Sequence, residues 1–419
     1  MSDVTPAFTP AFTPVQGAVI IGQSGGPTAV INQTLIGVVQ ACLAQPQVFT
    51  KVFGAIHGIQ GIMDGKFHDF ANESHANLEL VAGTPSAALK SVRHKATPED
   101  GKRIFARFKE LGVRYFFYIG GNDTAETTNI INELAIAEKY DLTCFHCPKT
   151  IDNDLRVTDH CPGFGSAAKF VTQAFMGDNL DNRSLSGIKI NIVMGRNAGW
   201  LTAASVLARQ FPGDGPHLIY CPEADFSLSA FCADVEAVYR KLGRCVVAVS
   251  EGIHGPGGTD VMDYSATGKE REVDSHGNAQ LSGSGALGDF LADVLKKHLA
   301  NTWAGKKHRV RADTFGYLQR CFPGVVSETD AAEARLAGTA AVAAAVAGTR
   351  SGSIAFRRVN GPTYAIKTFV TPLPTVAKDT RPMPREYLNA AGNDVLVEEL
   401  VPYLKPLVGT LPPIGQLAL

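Results

Sequence analysis

Seven residues, Pro148-Lys149-Thr150-Ile151-Asp152-Asn153-Asp154, place two carboxylates, an ammonium and a hydroxyl directly after an apolar run that reads as a strand. That mixture suits the handling of phosphate. Read as extended chain, Asp152 and Asp154 fall on one side at i,i+2, so one can take a proton while the other helps to hold a metal. A second group, Gly120-Gly121-Asn122-Asp123-Thr124, also follows a strand. Alone it reads as readily as a polar helix N-cap. Beside the first loop it gathers Asp123, Lys149, Asp152 and Asp154 at neighbouring strand ends; carboxylates so gathered need a cation, and Mg²⁺ with phosphate oxygens fits. A third group, Gly22-Gln23-Ser24-Gly25-Gly26-Pro27, is expected to open a helix, offering backbone N–H groups and the helix dipole to an anion. The same letters satisfy Gly-x-Ser-x-Gly with Ser24 as nucleophile, although a hydrolase elbow normally comes several strands into its fold. A purely structural tight turn is the plainer alternative.

The elements that must position these groups alternate. Ala18–Gly22 is a short buried strand, followed by a helix over about 29–43; Val113–Ile119 leads to a helix ending near Glu138; Leu142–Cys147 leads to the lysine loop. Ile188–Met194 runs into Gly195-Arg196-Asn197-Ala198-Gly199 and a helix, and Cys245–Ser250 runs into Glu251-Gly252. Strand and helix in alternation imply an α/β fold with mostly parallel sheets, whose ligands gather at the carboxyl ends of the strands. Residues 255–285 read as a long polar loop, 287–299 as an amphipathic helix and the alanine-rich 331–347 as a tightly packed one. Prolines 372, 374, 382 and 384 suggest a segment that wraps before a terminal helix near 395–403. At the other end, the repeat Thr-Pro-Ala-Phe in residues 5–14 offers no core face and reads as a flexible leader.

The whole chain sets limits. With 419 residues, 45% hydrophobic and 19% charged, it exceeds the usual size of one compact domain. A formal net charge of −1 argues against a general nucleic-acid or membrane-surface binder. No apolar run approaches the ~20 residues of a membrane span, and the N-terminus lacks the pattern of a secretory signal, so a soluble cytoplasmic protein is expected. The eight cysteines lack the spacing of a disulfide scaffold. Cys144, Cys147, His160 and Cys161 superficially suggest zinc, but a strand sends Cys144 and Cys147 to opposite faces.

Taken in order, the motifs resemble those of the phosphofructokinases, and within them the pyrophosphate-dependent branch. The matching residues are Gln23-Ser-Gly-Gly-Pro-Thr28, Gly83-Thr-Pro-Ser86 with Arg93, Gly120–Thr124, Pro148–Asp154, Met194-Gly195-Arg196, Ser250-Glu251-Gly252 and Gly316-Tyr317-Leu318-Gln319-Arg320. Seven collinear matches outweigh the ordinary reading of an isolated Arg or Glu as a solvated surface charge. The resemblance implies two Rossmann-like lobes: 17–150 with part of 250–320 for the phosphoryl donor, and 151–250 with 320–370 for the sugar phosphate. Residues 1–16 would be the leader and 371–419 a C-terminal extension. It implies phosphoryl transfer from pyrophosphate to the 1-hydroxyl of fructose 6-phosphate, with Mg²⁺ as cofactor, in glycolysis and gluconeogenesis. Asp152 would be the general base, Thr150 and Ile151 would contact the sugar, and Asp154 with Asn122 would serve the metal. Gly25, Gly26, Arg93, Asp123 and Lys149 would meet the diphosphate. Arg196 would stabilise the transferring group, and Met194, Gly195, Glu251, Tyr317 and Arg320 would line the sugar pocket, with Arg320 on the 6-phosphate. Arg311 and Lys189 resemble ligands that reach across from a neighbouring subunit, implying a homodimer or homotetramer with shared active sites. Lys90, Lys95 and Arg183 are rival cations, whereas His94 and His254 read as surface residues.

The choice of donor has its own logic. ATP-using members of the family carry glycine where this chain has Asp123 and, commonly, where it has Lys149. A carboxylate ~5 Å from the α-phosphate of ATP costs ~3 kcal/mol at an effective dielectric of ~20, disfavouring ATP roughly a hundredfold. Lys149 would stabilise the phosphate that leaves pyrophosphate. Asn122 departs from the acidic residue usual in the family and offers magnesium one neutral oxygen. The alternatives are an ATP-dependent phosphofructokinase, a non-catalytic regulatory subunit of the same fold, and the Ser24 hydrolase.

Overall fold

The computed structural model describes residues 14–94, 96–261, 285–305, 307–377 and 379–417. Most of the leader and of the 255–285 loop therefore lies outside the described residues, as does Lys95. The strands are β1 (Gly17–Gln23), β2 (Phe49–Ala55), β3 (Phe67–Asp69), β4 (Val113–Gly120), β5 (Thr143–Pro148), β6 (Ile188–Val193) and β7 (Leu218–Tyr220). They continue with β8 (Cys245–Ser250), β9 (His254–Gly255), β10 (Thr259–Asp260), β11 (Val310–Thr314), β12 (Ser351–Arg358) and β13 (Ile366–Thr371). The chain divides into two compact units. Unit 1 ends its first segment at Lys149 and regains the chain at Leu155–Asp159 and Ala332–Asp379; unit 2 takes Thr150–Asp154, His160–Ala331 and the segment from Thr380.

Unit 1 is built on a seven-stranded sheet ordered β13-β12-β5-β4-β1-β2-β3. Its central pairs β1–β2, β1–β4, β4–β5 and β5–β12 are parallel, and only the outer pairs β2–β3 and β12–β13 are antiparallel. Alternation along the strands divides the core between the two faces. Val19, Ile21, Phe117, Phe145 and Cys147 join one buried cluster; Ala18, Ile20, Phe116, Tyr118 and Cys144 join the other. Cys144 and Cys147 thus do face opposite ways. On the first face the helix Glu328–Val346 packs against the helix Ile31–Leu43. Small residues allow the close approach, since a Cβ on Gly338 would lie 2.3 Å from the Thr34 carbonyl oxygen.

Unit 2 carries a four-stranded parallel sheet ordered β11-β6-β8-β7. Ile190, Ile192, Val247, Val249, Phe231 and Leu295 form its buried centre, with Leu291 to Leu299 coming from the helix Ala286–Thr302. The 21-residue helix Phe164–Ser184 begins on the carboxylate of Asp330, which accepts from the N–H groups of Gly163 and Ser166, each at 2.8 Å. The last helix among the described residues is Val397–Val408. Among the described residues no helix is long and apolar enough to cross a membrane.

The division of the chain differs from the expected one. Residues 332–379 belong to unit 1 because β12 pairs with β5, and the described residues of 250–320 belong to unit 2 because β11 pairs with β6. The segment from Thr380 is part of unit 2 rather than a separate extension. Within the long loop, β9 and β10 form a small antiparallel pair.

Candidate active site

In unit 1 the glycine turn follows β1, but three residues separate it from the helix at Ile31, so it does not open that helix directly. Its N–H groups are also partly spent: Ser24 N donates to Ile119 O (2.9 Å) and Gly25 N to Val92 O (3.1 Å). A cation adds to what the backbone offers there. Lys149 folds onto the turn, its Nζ donating to Gly26 O at 2.7 Å, and a Cβ on Gly25 would sit 3.2 Å from that Nζ. Gly25 also needs its freedom for φ +76°. The bond to Gly26 occupies one of the ammonium's three donors, and the side chain is buried. Lys149 N donates to Gly120 O (2.9 Å), which ties the start of the loop to the end of β4.

Asn122 and Asp123 form the first turn of the helix Asn122–Ala137. Asn122 Oδ1 accepts from Asp123 N at 3.0 Å, and Asp123 is exposed. Arg93 is exposed as well. Its neighbours are fixed by a buried amide pair: Gln23 Nε2 donates to Asn32 Oδ1 (3.0 Å), Gln23 Oε1 accepts from Leu89 N (2.9 Å), and Asn32 Nδ2 donates to Thr84 O (2.9 Å). This pair holds the 84–89 loop beside the glycine turn.

In unit 2 the loop after Lys149 is not the extended run that would carry Asp152 and Asp154 on one side. Thr150 N donates to Pro162 O (3.1 Å), Thr150 Oγ1 accepts from Asp152 N (3.1 Å), and Asn153 takes the left-handed φ of +57°. A left-handed residue between the two carboxylates breaks the period of two on which the same-side argument rests. Ile151 is buried, while Asp152 and Asp154 are half-buried.

Three further segments of unit 2 converge at the ends of β6 and β8. Glu251 N donates to Val193 O (2.8 Å), Glu251 Oε1 accepts from Gly195 N (3.4 Å), and Ser250 Oγ donates to Gly195 O (2.7 Å). A Cβ on Gly252 would lie 1.9 Å from Arg196 O, so only glycine permits this contact. Gln319 Oε1 accepts from Met194 N at 3.2 Å, which brings Gly316–Arg320 to the same place. Tyr317 is exposed with the Arg320 guanidinium over its ring at 4.7 Å. Met194, Gly195, Arg196, Glu251, Tyr317 and Arg320 are thereby gathered as the motifs suggested.

Lys189 and Arg311 are paired residues on β6 and β11. Lys189 Nζ sits 3.4 Å from Asp178 Oδ1 and also contacts Asp313, and these carboxylates push its pKa up against the opposing effect of burial. Lys189 is thus engaged within its own chain. Arg311 is exposed. Of the rival cations, Arg183 pairs with the buried Asp214 (3.1 Å). His94 is exposed and His254 half-buried.

Among the described residues no three His, Cys, Asp or Glu side chains converge on a metal position. A magnesium ion does not require that, because it is usually held by one or two carboxylates and substrate phosphates. The exposed Asp123 carboxylate and the Asn122 amide oxygen are hard donors of the right kind.

Sequence reasoning passed over several residues that hold these parts. His146 is wholly buried on β5, its Nε2 2.9 Å from Gly120 O and its Nδ1 2.8 Å from Ser353 Oγ; burial pulls its pKa down to about 4, keeping it neutral. A histidine inside an apolar strand was the available signal. Gln319 and Asn153 stood within quoted motifs but carry no charge to draw notice.

Comparison with known proteins gives the same family throughout. Residues 18–345 match the family profile described as phosphofructokinase. A Rhodospirillum rubrum protein named pyrophosphate–fructose 6-phosphate 1-phosphotransferase is 50% identical over 394 residues, covering 94% of this chain and 95% of its own. A Xanthomonas campestris protein of the same name is 38% identical, over 94% and 91% of the two chains. Among solved structures, a pyrophosphate-dependent phosphofructokinase from Marinobacter aquaeolei superposes with a TM-score of 0.82 at 31% identity, covering 96% of this chain and 94% of the other.

Proposed function

The chain belongs to the phosphofructokinase family, and from that premise we propose that it transfers a phosphoryl group reversibly between pyrophosphate and the 1-hydroxyl of fructose 6-phosphate. The observation that carries the donor choice is Lys149 folded onto the Gly25–Gly26 turn at 2.7 Å. An ammonium there serves a short, highly charged donor, and the Asp123 carboxylate opposes the α-phosphate of a nucleotide. The names of the relatives agree with this choice.

In the forward step the sugar O1 attacks the terminal phosphorus of pyrophosphate, the O1–P bond forms as the bridging P–O bond breaks, and orthophosphate leaves with the bridging oxygen. Asp152 takes the hydroxyl proton, an effect worth ~10²–10⁴-fold. Thr150 and Ile151 hold the sugar, Lys149 neutralises the departing phosphate, and Arg196 stabilises charge on the transferring group. Glu251 orients the sugar hydroxyls, while Arg320 takes the 6-phosphate bidentately beside Tyr317. Asn122, Asp123 and Asp154 would serve Mg²⁺, which supplies charge neutralisation at the phosphate oxygens. Pyrophosphate lies close to the sugar phosphate in group-transfer energy, so the enzyme serves glycolysis and gluconeogenesis alike. We place it in the cytoplasm as a homo-oligomer, with Arg311 offered to a second copy and no nucleic-acid or membrane partner.

Assaying the purified chain with fructose 6-phosphate and either pyrophosphate or ATP tests the reading. Turnover with pyrophosphate and at least hundredfold less with ATP is expected. ATP use equal to or above that of pyrophosphate would overturn it.

A further inference from the structure

We infer that the C-terminal segment beyond Thr380, outside the residues matched by the family profile, is a strap that sets the backbone of the Asp152–Asp154 loop, with Arg381 and Tyr403 as its positioning residues. The effect on turnover rests on the phosphoryl-transfer reading; the effect on the loop does not.

Three hydrogen bonds run from the segment to two consecutive loop residues of the same unit. Asn153 Nδ2 donates to Tyr403 Oη at 2.8 Å, Arg381 Nη2 donates to Asn153 O at 3.1 Å, and Arg381 N donates to Asp154 O at 2.6 Å. Asn153 Oδ1 also accepts from Cys161 N at 3.0 Å. Asn153 is the residue with φ +57° between the two carboxylates. Asparagine is among the few non-glycine residues that enter this region readily, and these bonds hold it there.

The strap is itself anchored. Met383 N donates to Glu223 Oε1 (2.8 Å), the atom that also accepts from Gly199 N (2.8 Å) at the end of the Arg196 loop. Arg209 holds Asp394 through two bonds, at 2.7 and 3.1 Å, and Ile219 N donates to Asn393 O at 2.8 Å. Trp200, which follows that loop, packs against Tyr403 (4.9 Å) and Tyr387 (5.8 Å) and lies under the Arg381 guanidinium at 5.5 Å. One segment therefore braces both the loop that carries Asp152 and the loop that carries Arg196.

Tyr403→Phe removes the hydroxyl and keeps the ring; Arg381→Lys keeps the charge and removes the fork. Both are made in the full chain, with Leu404→Val, a trimmed core residue of the same helix, matching any loss of Tm. Hydrogen exchange of residues 151–154 should quicken several-fold in both variants and not in the control. The kcat with pyrophosphate should fall ~10-fold with both KM values within about twofold, since small misplacements of reacting groups act on turnover. Unchanged exchange, or faster exchange with kcat intact in an active enzyme, overturns the inference. Faster exchange in a chain whose wild type never uses pyrophosphate sinks the proposed activity instead and leaves the strap standing.

Discussion

The two units hold their motif residues in opposite ways. In unit 1 backbone holds a side chain: the Gly25–Gly26 turn seats Lys149, which with Asp123 would set the proposed donor choice. In unit 2 side chains hold backbone, with Ser250, Glu251 and Gln319 fixing Met194 and Gly195. Selectivity resting on two side chains can be exchanged without rebuilding the site. A pocket shaped by interlocked strand ends cannot be altered without moving its frame.

The largest expected effect tests the proposed chemistry. Asp152→Asn should lower kcat by ~10²–10⁴-fold with little change in Tm, and a loss below tenfold would remove its role as base. His146→Gln probes the frame of unit 1. Folding holds the imidazole at about 4, below its ordinary 6.5, so the unfolded chain binds the extra proton. Its stabilisation is therefore complete above pH 6.5 and is lost as pH falls towards 4, by ~3 kcal/mol at most. Urea midpoints from pH 7 to 4 should slope less in the variant; an equal slope would assign the acid sensitivity elsewhere, for instance to His217, which burial also lowers to about 4.

The double variant Asp123→Gly with Lys149→Gly should shift preference towards ATP by roughly a hundredfold while the sugar KM stays put. If neither donor's rate changes, the selectivity of unit 1 does not reside in these two side chains. The smallest effect sharpens the other side. Gly252→Ala must displace the Arg196 carbonyl, costing ~1–3 kcal/mol, and should raise the sugar KM and lower Tm together without affecting binding of pyrophosphate. A higher KM at unchanged Tm would mean that the frame and the pocket of unit 2 are separable.

Much of this was legible from local pattern. Strand, glycine turn and helix recur with periods that a short window reveals, and most of the motifs follow the carboxyl ends of strands in the two sheets, whereas Gly83–Ser86 follows the helix His75–Ala82. The lobe boundaries were not legible: β12 joins β5 across some two hundred residues, as Ser353 opposite His146 shows, and no local signal announces that pairing. The spacing of Asp152 and Asp154 misled for a related reason. The period of two presumes a strand, whereas Asn153 is held left-handed by Tyr403 and Cys161, both remote from any local reading of the loop.

By itself, then, the sequence determined the chemical inventory, the alternating elements and the family, because residue type, turn propensity and side-chain period are local properties. Tertiary structure decided that Lys149 folds onto the glycine turn. It also decided that 332–379 returns to unit 1 and that the segment beyond Thr380 hydrogen-bonds to the Asp152–Asp154 loop. Those outcomes depend on which distant carbonyls and hydroxyls satisfy a buried donor, and only the packed chain supplies them.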